Sequence, residues 1–179
     1  MRPKFDKNEV INMIVDVSNE NKVEPAIMLA IAEHESNFDP LAKRFELNIY
    51  RRLASGTGWL GEFSGQVLKY SRLRKVSFDT EAADESFSYG LFQIMGFNLR
   101  HMNYNYPDLS SFLYDIPEQC LYAIAFVKDL LGKYDDLKDV FSVYNSGKPY
   151  GKNGSGKIYA NNVMIKYKKW KEKIGKGEI

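Results

Sequence analysis

The sequence predicts a mainly helical domain, on two observations. Apolar residues recur at three- and four-residue spacing, as Val10, Ile11, Ile14 and Val15 do, and one window, Ala26 to Ala32, is apolar without a break. Runs of strand type are scarce, and no repeat or low-complexity tract interrupts the pattern. With 179 residues, 44% of them hydrophobic and 14% aromatic, the chain is long enough to bury a sizeable core, and one domain over residues 1–179 is expected.

The elements follow in order. Asp6 with Glu9 has the form of a capping box and opens a first helix. Pro25 suits a first helical position because its missing N–H is an orphan there anyway, so a second helix runs from Pro25 to Glu35. After the Gly56-Thr57-Gly58 break a third is expected over Trp59 to Arg74, and a fourth over Leu91 to Met102. Pro117 starts the longest, ending near Tyr134, and helices over Leu137 to Tyr144 and Ile158 to Ile174 complete the set. Lys152-Asn-Gly-Ser-Gly-Lys157 reads as a flexible loop, and it lacks the Gly-Lys-Ser/Thr order of a phosphate-binding loop.

The second helix carries the chemistry. Glu35 lies one turn beyond Ile31 and two beyond Met28, so it shares their face and sits at the edge of the core. Burial disfavours a charged carboxylate and raises its pKa, which keeps a proton available near neutral pH for a leaving oxygen. Glu33 and His34 belong to the same helix end, and helix geometry alone does not choose among the three.

Other features exclude more than they assert. A net charge of +2 names no partner. From Lys148 onward nine lysines stand against Glu172 and Glu178, which reads as a solvated helix face with Tyr167 and Trp170 turned inward; Asp79 to Glu85 forms an acidic patch. Cys120 is the one cysteine, so no intrachain disulfide forms, and its apolar setting makes it a core residue. His34 and His101 are too few and too far apart for a metal site, and no Asp-rich calcium loop is present; neither metal nor cofactor is expected. The amino terminus has no apolar h-region and no run approaches a membrane span, so neither stable membrane insertion nor a nucleic-acid partner is expected.

Four motifs stand in order: Glu35-Ser36, Gly90-Leu91-Phe92-Gln93, Tyr144-Asn145-Ser146-Gly147 and Tyr159-Ala-Asn-Asn-Val163. Together they resemble the soluble lytic transglycosylase catalytic domain, a branch of the lysozyme-like superfamily, over roughly residues 8 to 170. The resemblance implies a lysozyme-like helical domain of the goose-type class, acting on peptidoglycan glycan strands as a monomer. It makes Glu35 the acid and then the base. It also implies that Ser36 supports the site, that Gln93, Tyr144 and Asn145 line the cleft, and that the Tyr159 hydroxyl bonds the acid. The expected reaction cleaves between N-acetylmuramic acid and N-acetylglucosamine and closes a 1,6-anhydro ring, in the periplasm or on the wall. With no leader in this sequence, two expectations stand: a leader trimmed away, or an enzyme made in a cytoplasm and released by another agent, as phage-encoded endolysins are.

The chain departs from the compact members in Lys43-Arg-Phe-Glu-Leu-Asn-Ile-Tyr-Arg-Arg52, and Phe92 stands where methionine is usual. A hydrolytic muramidase is the first alternative, and it needs a second carboxylate roughly 6.5–9.5 Å from the acid if it inverts. Glu46, Asp79, Glu81, Asp84 and Glu85 are the candidates. Glu46 is the one to watch, against the plainer expectation that it pairs with Arg44, Arg51 or Arg52. A non-catalytic cell-wall sugar-binding module is the second alternative, disfavoured because a binder needs no buried proton donor.

Overall fold

The computed structural model describes residues 5–56, 63–104, 108–151 and 154–179. Their order is α1 (Lys7–Glu20), α2 (Pro25–Glu35), β1 (Lys43–Phe45), α3 (Leu47–Ser55), α4 (Ser64–Arg74), α5 (Phe78–Glu85), β2 (Phe87–Tyr89), β3 (Ile94–Met95), α6 (Gly96–His101), a 3-10 turn (Leu109–Tyr114), α7 (Ile116–Leu131), α8 (Leu137–Ser146) and α9 (Gly154–Gly175). The fold is mainly helical and lysozyme-like, as expected.

The main core is built around α2. Every residue from Ala26 to Ala32 is buried, and α1 and α9 pack against this helix while α8 packs on α9. Full burial of Met28, Leu29 and Ile31 contributes about 1.5–3 kcal/mol for each side chain. The amphipathic α1 is capped by Asp6, whose carboxylate accepts the N–H groups of Asn8 and Glu9. Tyr167 and Trp170 do turn inward from α9, and Cys120 is a buried core residue whose thiol burial pushes up to about 12.

A smaller cluster, Leu53, Val67, Ala82 and Phe97, joins α3 to α6. The antiparallel sheet β1-β2-β3 stands between the two cores, with Lys43 opposite Tyr89, Phe45 opposite Phe87 and Ser88 opposite Met95. Strand alternation divides its side chains: Tyr89 and Ile94 enter the main core, whereas Met95 packs on the smaller cluster.

Several boundaries differ from expectation. The helix expected over Leu91 to Met102 begins only at Gly96, because Gly90 (φ 75°) and Gln93 (φ 47°) take left-handed conformations that turn the chain into β3. The fourth helix is observed from Ser64 to Arg74; the first residues of the expected span, Trp59 to Glu62, lie outside the described residues. The longest helix is α9 with 22 residues, since it already starts at Gly154, inside the segment read as a loop; Lys152 and Asn153 lie outside the described residues. Helix α7 stops at Leu131, and α3 and α5 are helices that apolar spacing did not announce.

The acidic patch is not a surface feature at its centre. Glu81 and Glu85 are fully buried. Arg100, only 2% exposed, donates from Nε to Glu81 Oε1 at 3.0 Å, and Arg74 bonds both Glu81 and Asp84, the latter at 2.7 Å. Glu85 receives Gln66 Nε2 at 2.8 Å on one oxygen, and its other oxygen has no hydrogen-bond partner among the described residues. Two arginines thus balance Glu81 and Asp84, and Glu85 is the surplus acid. Burial, with Glu81 alongside, raises its pKa to about 8.

Candidate active site

Helix α2 ends where its carboxylate is needed. Ser36 caps the C-terminus with its N–H on Ala32 O, and Asn37 (φ 53°) and Phe38 (φ 66°) then reverse the chain. Phe38 is buried edge-on against Trp170, ring centroids 5.7 Å apart, so the reversal is anchored in the core. Glu35 is therefore held at the boundary between packed helix and loop.

Tyr159, from the second turn of α9, donates its hydroxyl to Glu35 Oε1 at 2.7 Å across 124 residues of sequence. Burial raises the Glu35 pKa above the ordinary carboxyl value; the Tyr159 hydrogen bond and the nearby Arg44 guanidinium pull it only part of the way back. Tyr159 is 6% exposed, and burial beside Glu35 pushes its phenol well above its ordinary range, so it remains a donor. The His34 ring stands edge-on to Tyr159 at 4.7 Å, and burial together with Lys166 lowers its pKa, which favours neutral imidazole.

Glu33, two residues earlier, meets α9 further along that helix. Its carboxylate accepts Trp170 Nε1 at 2.6 Å and Lys166 Nζ at 3.1 Å. Burial alone would raise its pKa, yet the bonds to Lys166 and Trp170 outweigh it and the net direction is down. These neighbours set the two carboxyl groups apart: the Glu35 pKa is raised and the Glu33 pKa lowered.

The glycine motif forms a turn pinned from four sides. Gly90 N–H donates to Ala42 O at 2.8 Å, and a Cβ at Gly90 would come within 2.3 Å of Gln119 Oε1. That same oxygen accepts Leu91 N–H at 2.8 Å. Leu91 O accepts Ser36 Oγ at 2.9 Å, and Phe92 O accepts the Tyr144 hydroxyl at 2.8 Å. Tyr144 lies close enough to Glu35 for the carboxylate to disfavour phenol ionisation beyond what burial does.

The sequence-derived site residues thus fall into distinct positions. Glu35, Tyr159 and Tyr144 converge, and Ser36 ties the acid's own helix to the turn. The Gln93 amide is turned on the protein: Nε2 donates to Gly90 O at 2.9 Å and Ala42 O at 3.3 Å, and Oε1 accepts Ser88 Oγ at 2.7 Å. It braces the turn and keeps one lone pair for a ligand. Asn145 is exposed at the end of α8. Glu46 pairs with Arg44, Nε to Oε1 at 2.5 Å, and its backbone N–H donates to Ser86 O. Of the three arginines expected as partners of Glu46, the structure selects Arg44. Gln119 was missed, although a polar residue within an apolar helix did offer a signal.

Among the described residues no group of three or more His, Cys, Asp or Glu gathers as a metal site would, and no helix is long and apolar enough to cross a membrane. No curated protein sequence matches this one. The family model for Muramidase, described as N-acetylmuramidase, matches residues 24–171, a span that opens beside Pro25 and takes in Glu35, the pinned turn, Tyr144 and Tyr159. The matched span covers most of the chain, and the chain belongs to the N-acetylmuramidase family of peptidoglycan-cleaving enzymes.

Proposed function

We propose that this chain is a hydrolytic muramidase in which Glu35 protonates the glycosidic oxygen between N-acetylmuramic acid and N-acetylglucosamine. The observation that carries the reading is the hydrogen bond from Tyr159 to a carboxyl whose pKa is raised by burial. As the C–O bond breaks, positive charge develops at the anomeric carbon and the proton passes from Glu35 to the departing oxygen. Water then adds to the anomeric carbon, leaving a reducing muramic acid end.

In the hydrolytic reading Arg44 links the acid to a second carboxylate. Its guanidinium pairs with Glu46 and is close enough to Glu35 to draw its pKa down, so one cation gathers two carboxyl groups. Glu46 is then the group that takes the proton from water. Glu81 and Glu85, also candidates on sequence, are sealed in the cluster of α4, α5 and α6. The rival reading keeps Glu35 as acid and base, with the sugar's 6-hydroxyl attacking its own anomeric carbon and returning its proton to Glu35.

Mass analysis of muropeptides from purified wall separates the readings. Reducing muramic acid ends, lost in Glu46→Gln, are the expected result. Products one water lighter, unchanged in Glu46→Gln, would transfer the assignment to a lytic transglycosylase; wall binding without new ends would make the chain a sugar-binding module. By this reading the enzyme acts on the cell wall.

A further inference from the structure

The turn that carries Gly90 to Gln93 is held by one side chain with no place in the chemistry above. Gln119, from the first turns of α7, is 1% exposed and uses three of its hydrogen-bonding positions. Its Oε1 accepts Leu91 N–H, and its Nε2 donates to Pro40 O at 3.2 Å and Phe112 O at 3.0 Å. One amide therefore ties together the loop after α2, the turn before β3 and the 3-10 turn before α7. Beyond Leu91 the connection continues to the acid. The Leu91 carbonyl accepts the hydroxyl of Ser36, the residue after Glu35, and the next carbonyl, of Phe92, accepts Tyr144 beside Glu35.

We infer that Gln119 is a positioning residue for the glycosidase reaction: through Leu91 and Phe92 it sets where Ser36 and Tyr144 stand, and so how tightly Glu35 is enclosed. Gly90 is the sequence counterpart of this arrangement. A side chain there would meet Gln119 Oε1 at 2.3 Å, so the close approach that lets the amide reach Leu91 N–H requires glycine. A buried amide with donors and acceptor engaged is also costly to replace, since each lost partner leaves a backbone group unsatisfied away from water.

The inference rests on Glu35 being the acid, and one measurement is chosen to stand apart from that reading. Gln119→Met keeps the volume and removes all three bonds. Loosening the turn admits water to Glu35, so the Glu35 pKa, followed by carbon-13 NMR of labelled glutamate, is expected to fall towards the ordinary carboxyl value. That shift is readable even if wall cleavage fails to depend on Glu35. In kinetics, kcat is expected to drop on the order of 10- to 100-fold, as a displaced catalytic constellation does, with KM changed little and the basic limb of the pH profile moved to lower pH. Val127→Ala, a cavity in the same helix away from the turn, is the control that lowers the melting temperature without moving the limb.

Gln119→Glu keeps an acceptor for Leu91 N–H, the bond that leads on to Ser36 and Tyr144, while losing the two Nε2 donations; it is expected to keep more of kcat than Gln119→Met, and it carries the test if the methionine variant does not fold. In a double-mutant cycle with Ser36→Ala the two losses should overlap, the pair losing hardly more than the worse single variant. An unchanged Glu35 titration in a folded Gln119 variant, or losses that multiply independently with Ser36→Ala, would overturn the proposal and leave Gln119 as scaffold only.

Discussion

Two helices of this protein end on the same dipeptide, and only one of those ends is suited to catalysis. Helix α2 closes on Glu35-Ser36 and α5 on Glu85-Ser86, and each serine returns its hydroxyl to the carbonyl of an alanine four residues back. Both carboxyl groups are buried with raised pKa values. What differs is the company. Glu35 meets a tyrosine hydroxyl, with a second tyrosine and Arg44 near, and it remains partly open to solvent. Glu85 is sealed against Gln66 and Glu81, with Arg100 near. A carboxyl that can hold a proton is therefore not yet an acid catalyst; access to a substrate oxygen, and a partner that positions the proton without taking it, complete the device.

The largest effect is expected where that access exists. Glu35→Gln keeps the hydrogen bond acceptor for Tyr159 but has no proton to deliver, so wall clearance should fall by about 10²–10⁴-fold, the usual share of general acid catalysis. Its melting temperature should not fall, because the variant no longer buries an ionisable group. Full clearance by Glu35→Gln would collapse the distinction drawn between the two helix ends.

Glu85→Gln should change stability and leave the chemistry alone. The folded protein keeps a proton on Glu85 that the unfolded chain releases near pH 4.5, so wild-type stability falls as pH rises from there through about 8. The variant lacks that loss, and its advantage over wild type should grow by on the order of a few kcal/mol between pH 5 and pH 9 in denaturant melts. Parallel curves for the two proteins would mean that Glu85 is charged in the fold.

Tyr159→Phe sharpens the active end. Removing the hydroxyl deletes the bond that holds Glu35 and draws its pKa down, so kcat should drop roughly 10-fold while the basic limb of the profile moves to higher pH. A loss of melting temperature with an unmoved profile would make Tyr159 a packing residue. The smallest effect belongs to Glu33→Gln, which removes the charge facing Lys166 but keeps one oxygen to accept Trp170 Nε1: about 1 kcal/mol of stability or less, with wall clearance at the wild-type rate, because the Lys166 pair is partly exposed. The wild-type Glu33 contribution is present above its ordinary pKa and is lost as pH falls through its lowered folded value.

Much of this was readable in the chain itself, and the reasons are local. The uninterrupted apolar run of α2, with proline at its start, leaves no conformation but a buried helix, and its length puts Glu35 at the core's edge. Gly90 announces a close backbone approach, and the four motifs in order carry the family. Helices α3 and α5 were missed because each is short and hides its purpose: only Leu53 of α3 is buried, and α5 buries two glutamates that apolar spacing does not count.

What the sequence determined alone is thus the helical class, the core helix, and a carboxyl at its end with tyrosines and a glycine turn to surround it. Periodicity and chain stiffness act over a few residues, and they need no partner to be read. Tertiary structure decided that the pKa of Glu35 is raised and that of Glu33 lowered, that Gln93 braces the turn with its amide, and that Glu46 pairs with Arg44. Those outcomes depend on groups up to 137 residues apart, Glu33 and Trp170 among them. A pKa follows desolvation and charge at a few ångströms, and those distances exist only once the chain has packed.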